Sequence, residues 1–431
     1  MYFFMLMYLV LVLIRPQDYP AVIDNPGPPL QPIALIMAAG FFLFSQRKSF
    51  DAPQYLLIPI FLLVAMISKI ANGWAGGALF VFFIFAPVVL AYVLLANTAN
   101  TRERMQGVIA VFAVCASVLA LHGIEQVQLG VGWTGIELSQ GTRIQYVGIF
   151  NDPNDLGMLF VMCLPMAFYL SAQGGWLGLK RLFWWTAIVL LVWGCYLTNS
   201  RGTLLALVAM LGVYVWRTRG LFLAGLMGAG ALGGLMMLPS RMQEMDVSEA
   251  SAMGRVESWY EGIQMFIGSP VFGIGAGGYS DLHELTAHNS FVLVLAETGI
   301  VGFTVWLAIV GYCFRMMLAI VNRGDDIIDD VPLEVPDDIA LKEWRTDKAL
   351  SLSLLLSLTG FFTAAFFLSR SYVIILYLLV ALVVGHYTRM RSTYPSLPQF
   401  SLDRDIIRWP LIAVIGVIGL YLTVKVLLAL A

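Results

Sequence analysis

Between His283 and Gly302 a polar loop gives way to the apolar run Phe291 to Ile300, and Ala287-His288-Asn289-Ser290 places one of only four histidines where water meets a membrane helix. Three arginines, Arg143, Arg201 and Arg255, are expected on the same side of that membrane. An imidazole that titrates near neutrality can accept a proton from a hydroxyl. Guanidiniums grip phosphate oxygens two at a time. The combination predicts a site for a diphosphate leaving group, with the arginines keeping the histidine ring neutral by disfavouring imidazolium. His283 precedes the helix and lacks this setting; His122 and His386 fall near other span ends and are expected to be structural.

The elements that must position these groups follow from composition. The chain has 431 residues, 59% hydrophobic and 12% charged, with a mean hydropathy of +0.82. A soluble globular domain carries about twice that charged share. The expected fold is therefore all-α, a polytopic transmembrane helical bundle forming a single integral membrane domain over 1–431. A net charge of −2 gives no reason to expect nucleic-acid binding. Cys115, Cys163, Cys195 and Cys313 each sit inside an apolar run, so neither a disulfide nor a metal cluster is expected. Tyr2 opens the first run with no basic region before it, and Arg15-Pro16 replaces a small-residue cleavage site, which reads as an uncleaved span.

Runs approaching the roughly twenty residues that cross the hydrocarbon core fall near 2–14, 32–45, 54–71, 77–96, 106–123, 154–172, 182–199, 202–216, 220–238, 289–321, 348–369, 371–388 and 409–430. That is about twelve spans, the first two being short enough to tilt or cross only partly. Arg47-Lys48, Arg102/Arg104, Lys180-Arg181, Arg217/Arg219 and Arg389/Arg391 are each separated by an even number of crossings. They share one face, cytoplasmic by the positive-inside rule. The acidic loop from Asn322 to Lys348 joins them there and reads as a solvated connector.

The opposite face receives 15–31, 124–153, the tight junction at Ser200 and the loop 239–287. Within that loop Val256, Trp259, Tyr260, Ile263, Phe266 and Ile267 recur at helical spacing, predicting an amphipathic helix over 252–267 stopped by Ser269-Pro270. Gly273-Ile274-Gly275-Ala276-Gly277-Gly278 lacks the strand and Gly-Lys-Ser/Thr of a phosphate loop and reads as a flexible turn. Arginine on this face runs against the orienting bias and costs at least about 2.5 kcal/mol at mid-membrane depth. Arg201, in Asn199-Ser200-Arg201-Gly202, therefore reads as functional; Arg255 reads equally as a partner for Glu257 or Glu261. Asp152-Pro153 predicts an N-cap with proline at the first helical position, a helix start that can also receive an anion. Glu297 is out of phase with His288 on the same helix and is expected to pair with another helix, with an arginine as one candidate; Gly299 and Gly302 are expected to serve close packing.

The motifs Gly148-Ile149-Phe150-Asn151-Asp152-Pro153-Asn154-Asp155-Leu156-Gly157, Asn199-Ser200-Arg201-Gly202, Gly254-Arg255 with Trp259, Pro270 to Gly275, and Ala287 to Phe291 with Glu297 to Gly302 together resemble the O-antigen ligase and O-antigen polymerase superfamily over about 140–320. The resemblance implies a metal-independent, cofactor-free, inverting glycosyltransferase of the bacterial inner membrane, its site facing the periplasm. It implies undecaprenyl-diphosphate-linked glycan as donor and, in the ligase branch, a sugar hydroxyl of lipid A-core oligosaccharide as acceptor, completing lipopolysaccharide. On this reading His288 is the candidate base, Arg201 and Arg255 hold the departing diphosphate, and Arg143, Asn154, Asn289 and Tyr279 contact substrate. The same resemblance admits an O-antigen polymerase or a protein O-oligosaccharyltransferase; a lipid-glycan transporter is the alternative from another class.

Overall fold

The computed structural model describes residues 1–23, 26–45, 48–173, 178–236, 245–330 and 335–430, with the side chains of 231–232, 234–236, 245–252 and 430 outside the description. Arg47 and the start of the loop 239–287 lie outside the described residues. The chain is a bundle of helices: α1 (Tyr2–Ile14), α2 (Leu30–Leu43), α3 (Gln54–Ala71), α4 (Ala75–Thr98), α5 (Arg102–Leu129), α6 (Pro153–Ser171), α7 (Leu179–Leu197), α8 (Arg201–Arg219), α9 (Leu221–Met236), α10 (Met245–Gly268), α11 (Ser290–Val321), α12 (Asp337–Ala365), α13 (Ile374–Thr393) and α14 (Arg408–Leu430). Among the described residues nine helices are long and apolar enough to span a membrane, and there is no strand, only two isolated bridges in 131–143. The chain is a multi-pass, all-α membrane protein. The four cysteines are free and buried.

One apolar core runs through most of the bundle, and α6 is its most enclosed span. It packs against α5, α7, α8 and α12. A second, smaller cluster joins α10, α11 and α14 through Trp259, Ile263, Val292, Leu293 and Val424. The predicted amphipathic helix is thus real but longer, beginning at Met245, and its apolar stripe lies on the bundle rather than on lipid alone.

The basic face is held by a buried charge network. Arg102 contacts both carboxylate oxygens of Asp347, at 2.9 and 2.8 Å, and Arg389 donates to the same carboxylate at 2.6 Å. Three helices, α5, α12 and α13, are thereby fixed to one carboxylate. His386 takes part as well, within 2.7 Å of the Ser351 hydroxyl. His122 is likewise structural, 2.8 Å from Thr134 and edge-on to Trp133 and Tyr146. In the acidic loop Asp325 pairs with Arg345 at 2.8 Å.

Candidate functional site

Three helix starts meet on the face opposite the Arg102–Asp347–Arg389 network. At the start of α6, Asp152 caps by accepting from the Asn154 N–H at 2.7 Å, with Pro153 as first helical residue. At α8, the Ser200 hydroxyl accepts from the Thr203 N–H at 3.2 Å. At α11, Asn289 Oδ1 accepts from the N–H groups of Phe291 and Val292, at 2.8 and 3.2 Å. Of the three caps, Asp152 was expected from the sequence; Ser200 and Asn289 are shown by the structure. Their meeting point was not expected. Each start adds partial positive charge from its dipole and unpaired N–H groups.

Side chains lock the three together. Ser200 donates to Asn154 Oδ1 at 2.7 Å, joining α8 to α6. Arg143, held by the bridge of Ser139 and Arg143, donates to Asn154 Oδ1 and to the Thr198 carbonyl, both at 3.0 Å. It caps the end of α7 and reaches the start of α6 in one side chain. Asn154 returns a bond to Asp152 at 2.7 Å. Arg255, on α10, lines a small cleft with Asn154, Ser200, Gly202 and Thr203.

Arg370 is the residue that reading the sequence passed over. It lies in the short turn between α12 and α13, where two apolar spans nearly abut, and its neighbours hide it in a hydrophobic stretch. Its guanidinium grips both oxygens of buried Asp155, and its N–H donates to the Ser290 hydroxyl at 2.9 Å. Ser290 in turn donates to the Leu368 carbonyl at 2.6 Å, and Ser371 to the Ser290 carbonyl at 2.8 Å. The turn therefore ties the start of α11, and with it His288, to the start of α6. The visible signal was an arginine between two spans on the face where arginine is disfavoured.

Electrostatics show which groups share one field. Burial lowers the His288 pKa below its ordinary value; Arg255 and, less strongly, Arg370 push in the same direction, while Asp152 opposes them. Burial also pulls Arg143 and Arg255 below the usual arginine value. Arg143 feels Arg255, Arg255 feels Arg201, and Asp152 counteracts both repulsions. In contrast Arg370 is raised: burial pulls it down, but the bonds and charge of Asp155 outweigh that. The result is a group of guanidiniums coupled through one field to an imidazole whose protonation burial, Arg255 and Arg370 disfavour. His288 itself adopts a left-handed backbone, φ 46°, uncommon for a residue with a side chain and a hallmark of constrained positions.

Two expectations are corrected here. The glycine segment is no flexible turn. Ile274 and Gly275 donate to the carbonyls of Ala296 and Glu297, both at 3.0 Å, Ala276 donates to Ser68 at 2.9 Å, and Asn72 donates to the Gly273 carbonyl at 2.8 Å. These bonds require a broken helix, and Gly299 breaks α11 with φ 62°. A side chain at Gly299 would lie 2.4 Å from the Val271 backbone, so its glycine serves backbone approach more than helix packing. Glu297 has no arginine partner among the described residues: its Oε1 accepts the Tyr279 N–H at 3.2 Å, which helps fix the docked glycine segment, a plug of residues 270–276 seated in the break of α11. Tyr279 is buried, its hydroxyl donated to the Ser258 carbonyl. His283 bonds within its own loop, to Leu285.

The fold and these groups define a multi-pass membrane protein with a dense, positively charged site at one face. Residues 186–307 match the family model described as O-antigen ligase. That match supports the O-antigen ligase and polymerase superfamily to which the motifs pointed. Arg201, Arg255 and His288 fall inside the matched segment; Arg143, Asn154 and Arg370 fall outside it. No curated protein matches the chain.

Proposed function

We propose that the chain is an O-antigen ligase, moving a glycan from undecaprenyl diphosphate to a sugar hydroxyl of lipid A-core at the periplasmic face of the bacterial inner membrane. One observation carries the reading: a neutral, half-buried His288 stands in the same field as Arg143, Arg201, Arg255 and Arg370, beside three helix starts. The basic residues of the opposite face, including Arg104 and Arg391, support reading that face as cytoplasmic and this one as periplasmic.

In this mechanism the acceptor hydroxyl attacks the anomeric carbon from the side opposite the diphosphate, so the new glycosidic bond forms with inversion. The bond from the anomeric carbon to the diphosphate oxygen breaks, and the leaving group takes its electron pair. Neutral His288 accepts the hydroxyl proton. Arg201 and Arg255 bind the diphosphate oxygens as negative charge grows on them, and Arg143 supplies further positive charge from the α6 and α7 side. Asn154 and Asn289 hold the starts of α6 and α11 in place, and the buried Asn289 Nδ2, without a hydrogen-bond partner among the described residues, is the donor left for substrate. Tyr279 supports α10 from below through Ser258.

Purified protein reconstituted with undecaprenyl-diphosphate glycan and lipid A-core tests the branch. Lipid A-core carrying the whole glycan in one step supports the ligase. A ladder of lengthening lipid-linked glycan would reassign the chain to the polymerase, and no covalent product with intact substrates would favour transport.

A further inference from the structure

A second recess, of about 1000 Å3, opens on the face opposite His288. Its wall includes Lys48, Arg104, Arg389 and Arg391, against one carboxylate, Asp51. The orienting bias explains why positive charge lies on this face. It does not explain its collection in one recess, since Lys180 and Arg219 obey the same bias and stand exposed. Nor does it explain the bonding inside. Asp347 is shared by Arg102 and Arg389, one carboxylate between two guanidiniums. The Nε–H groups of Arg389 and Arg391 are buried and have no hydrogen-bond partner among the described residues. Arg104 reaches the Asn100 side chain at 3.3 Å and the Tyr2 ring, neither of them anionic. Buried charged donors left unmet are costly, and an incoming acceptor relieves that cost.

The rim says which acceptor. Phe44, one residue before the wall residue Ser45, is 87% exposed, and Phe50, between the wall residues Ser49 and Asp51, is 54% exposed. A basic recess at the cytoplasmic end of a helical bundle, with bare aromatic rings beside it, matches a phosphorylated headgroup whose acyl chains lie outside. We propose that this recess binds the headgroup of an anionic phospholipid from the leaflet of its own face. The site is remote from glycan transfer and does not depend on that reading.

Full-length protein is reconstituted in vesicles of phosphatidylethanolamine with either phosphatidylglycerol or phosphatidylcholine, extracted, and examined by native mass spectrometry for retained lipid. Wild type is expected to retain phosphatidylglycerol and not phosphatidylcholine. The double variant Arg104→Gln/Arg391→Gln is expected to bind it about thirtyfold more weakly, roughly what two basic side chains contribute near an anionic headgroup. The exposed control Lys180→Gln/Arg219→Gln is expected to bind as wild type. If the double variant does not fold, the exposed Lys48→Gln is measured in its place, with a loss of about fivefold expected. Retention by a folded recess variant equal to wild type would overturn the proposal. So would saturable binding of inorganic pyrophosphate in detergent without any preference between the two lipids, which would assign the recess to a soluble phosphate.

Discussion

At the scale of single residues, the account turns on why His288 is neutral and what surrounds it. Its pKa is lowered by burial and by Arg255, so transfer should fall on the acid side only below the ordinary histidine value of about 6.5. Removing a neighbouring cation favours imidazolium. Arg255→Gln should therefore shift the acid limb of kcat/KM upward, toward about 6.5, besides slowing transfer, as read from a pH–rate profile of the residual activity. The same shift bears on stability. Because the folded pKa lies below the unfolded one, protonation opposes folding, and the contribution of His288 is full above the unfolded pKa and is lost as pH falls through the folded one. Arg370 makes a second test. Its bidentate pair with buried Asp155 means that Arg370→Ala leaves an uncompensated carboxylate, costing about 3–5 kcal/mol by analogy with other buried pairs. Thermal unfolding of Arg370→Ala, Asp155→Ala and the double variant should show the two losses to be far from additive. His288, Arg201 and Arg255 were singled out from residue type and position, and the field they share links them in the structure. Arg370 was hidden because hydropathy treats one arginine between two apolar runs as a boundary, and only tertiary structure shows the carboxylate it meets.

Among elements, the helices themselves were legible and their irregularities were not. Hydropathy pointed to the apolar helices and Asp152-Pro153 to one helix start, whereas the caps Ser200 and Asn289 emerged only in the structure. Hydropathy carries no information on which loop enters which helix. The break at Gly299 and the docking of 270–276 against it depend on contacts between segments that look like plain helix and plain turn. Glu297 meets a partner on another short helix, Tyr279–Leu282, as expected, but through a backbone N–H, which no residue type announces. The plug is open to test. Gly299→Ala forces a side chain to within 2.4 Å of the Val271 backbone at a positive φ, whereas Gly277→Ala, also at positive φ, meets nothing within 4 Å. Gly277→Ala should cost about 1–3 kcal/mol, the strain of the backbone alone. Gly299→Ala should cost more and should also slow transfer, because displacing α11 moves His288; paired melting curves and turnover measurements distinguish the two.

For the whole molecule, each face has its own electrostatic character. One holds the cluster around His288, and the other holds basic residues organised by Asp347 and by the second recess. The even number of crossings between basic pairs gave the expectation of two unlike faces, and the structure gathers Lys48, Arg104, Arg389 and Arg391 in one recess. The topology predicts that a cysteine in place of exposed Glu284 is labelled by an impermeant maleimide from the periplasm, and one in place of exposed Glu343 only after the membrane is opened. The reverse pattern would place the site on the wrong side for a periplasmic acceptor. The most direct test of the central claim is the rate of glycan transfer from undecaprenyl diphosphate to lipid A-core by wild type, His288→Ala and Arg255→Ala, each verified as folded by its melting temperature. Losing one stabilising partner of a developing anion typically costs about 2.7–4 kcal/mol, so each variant should be slower by about a hundredfold or more. Wild-type rates from the folded variants would contradict the account.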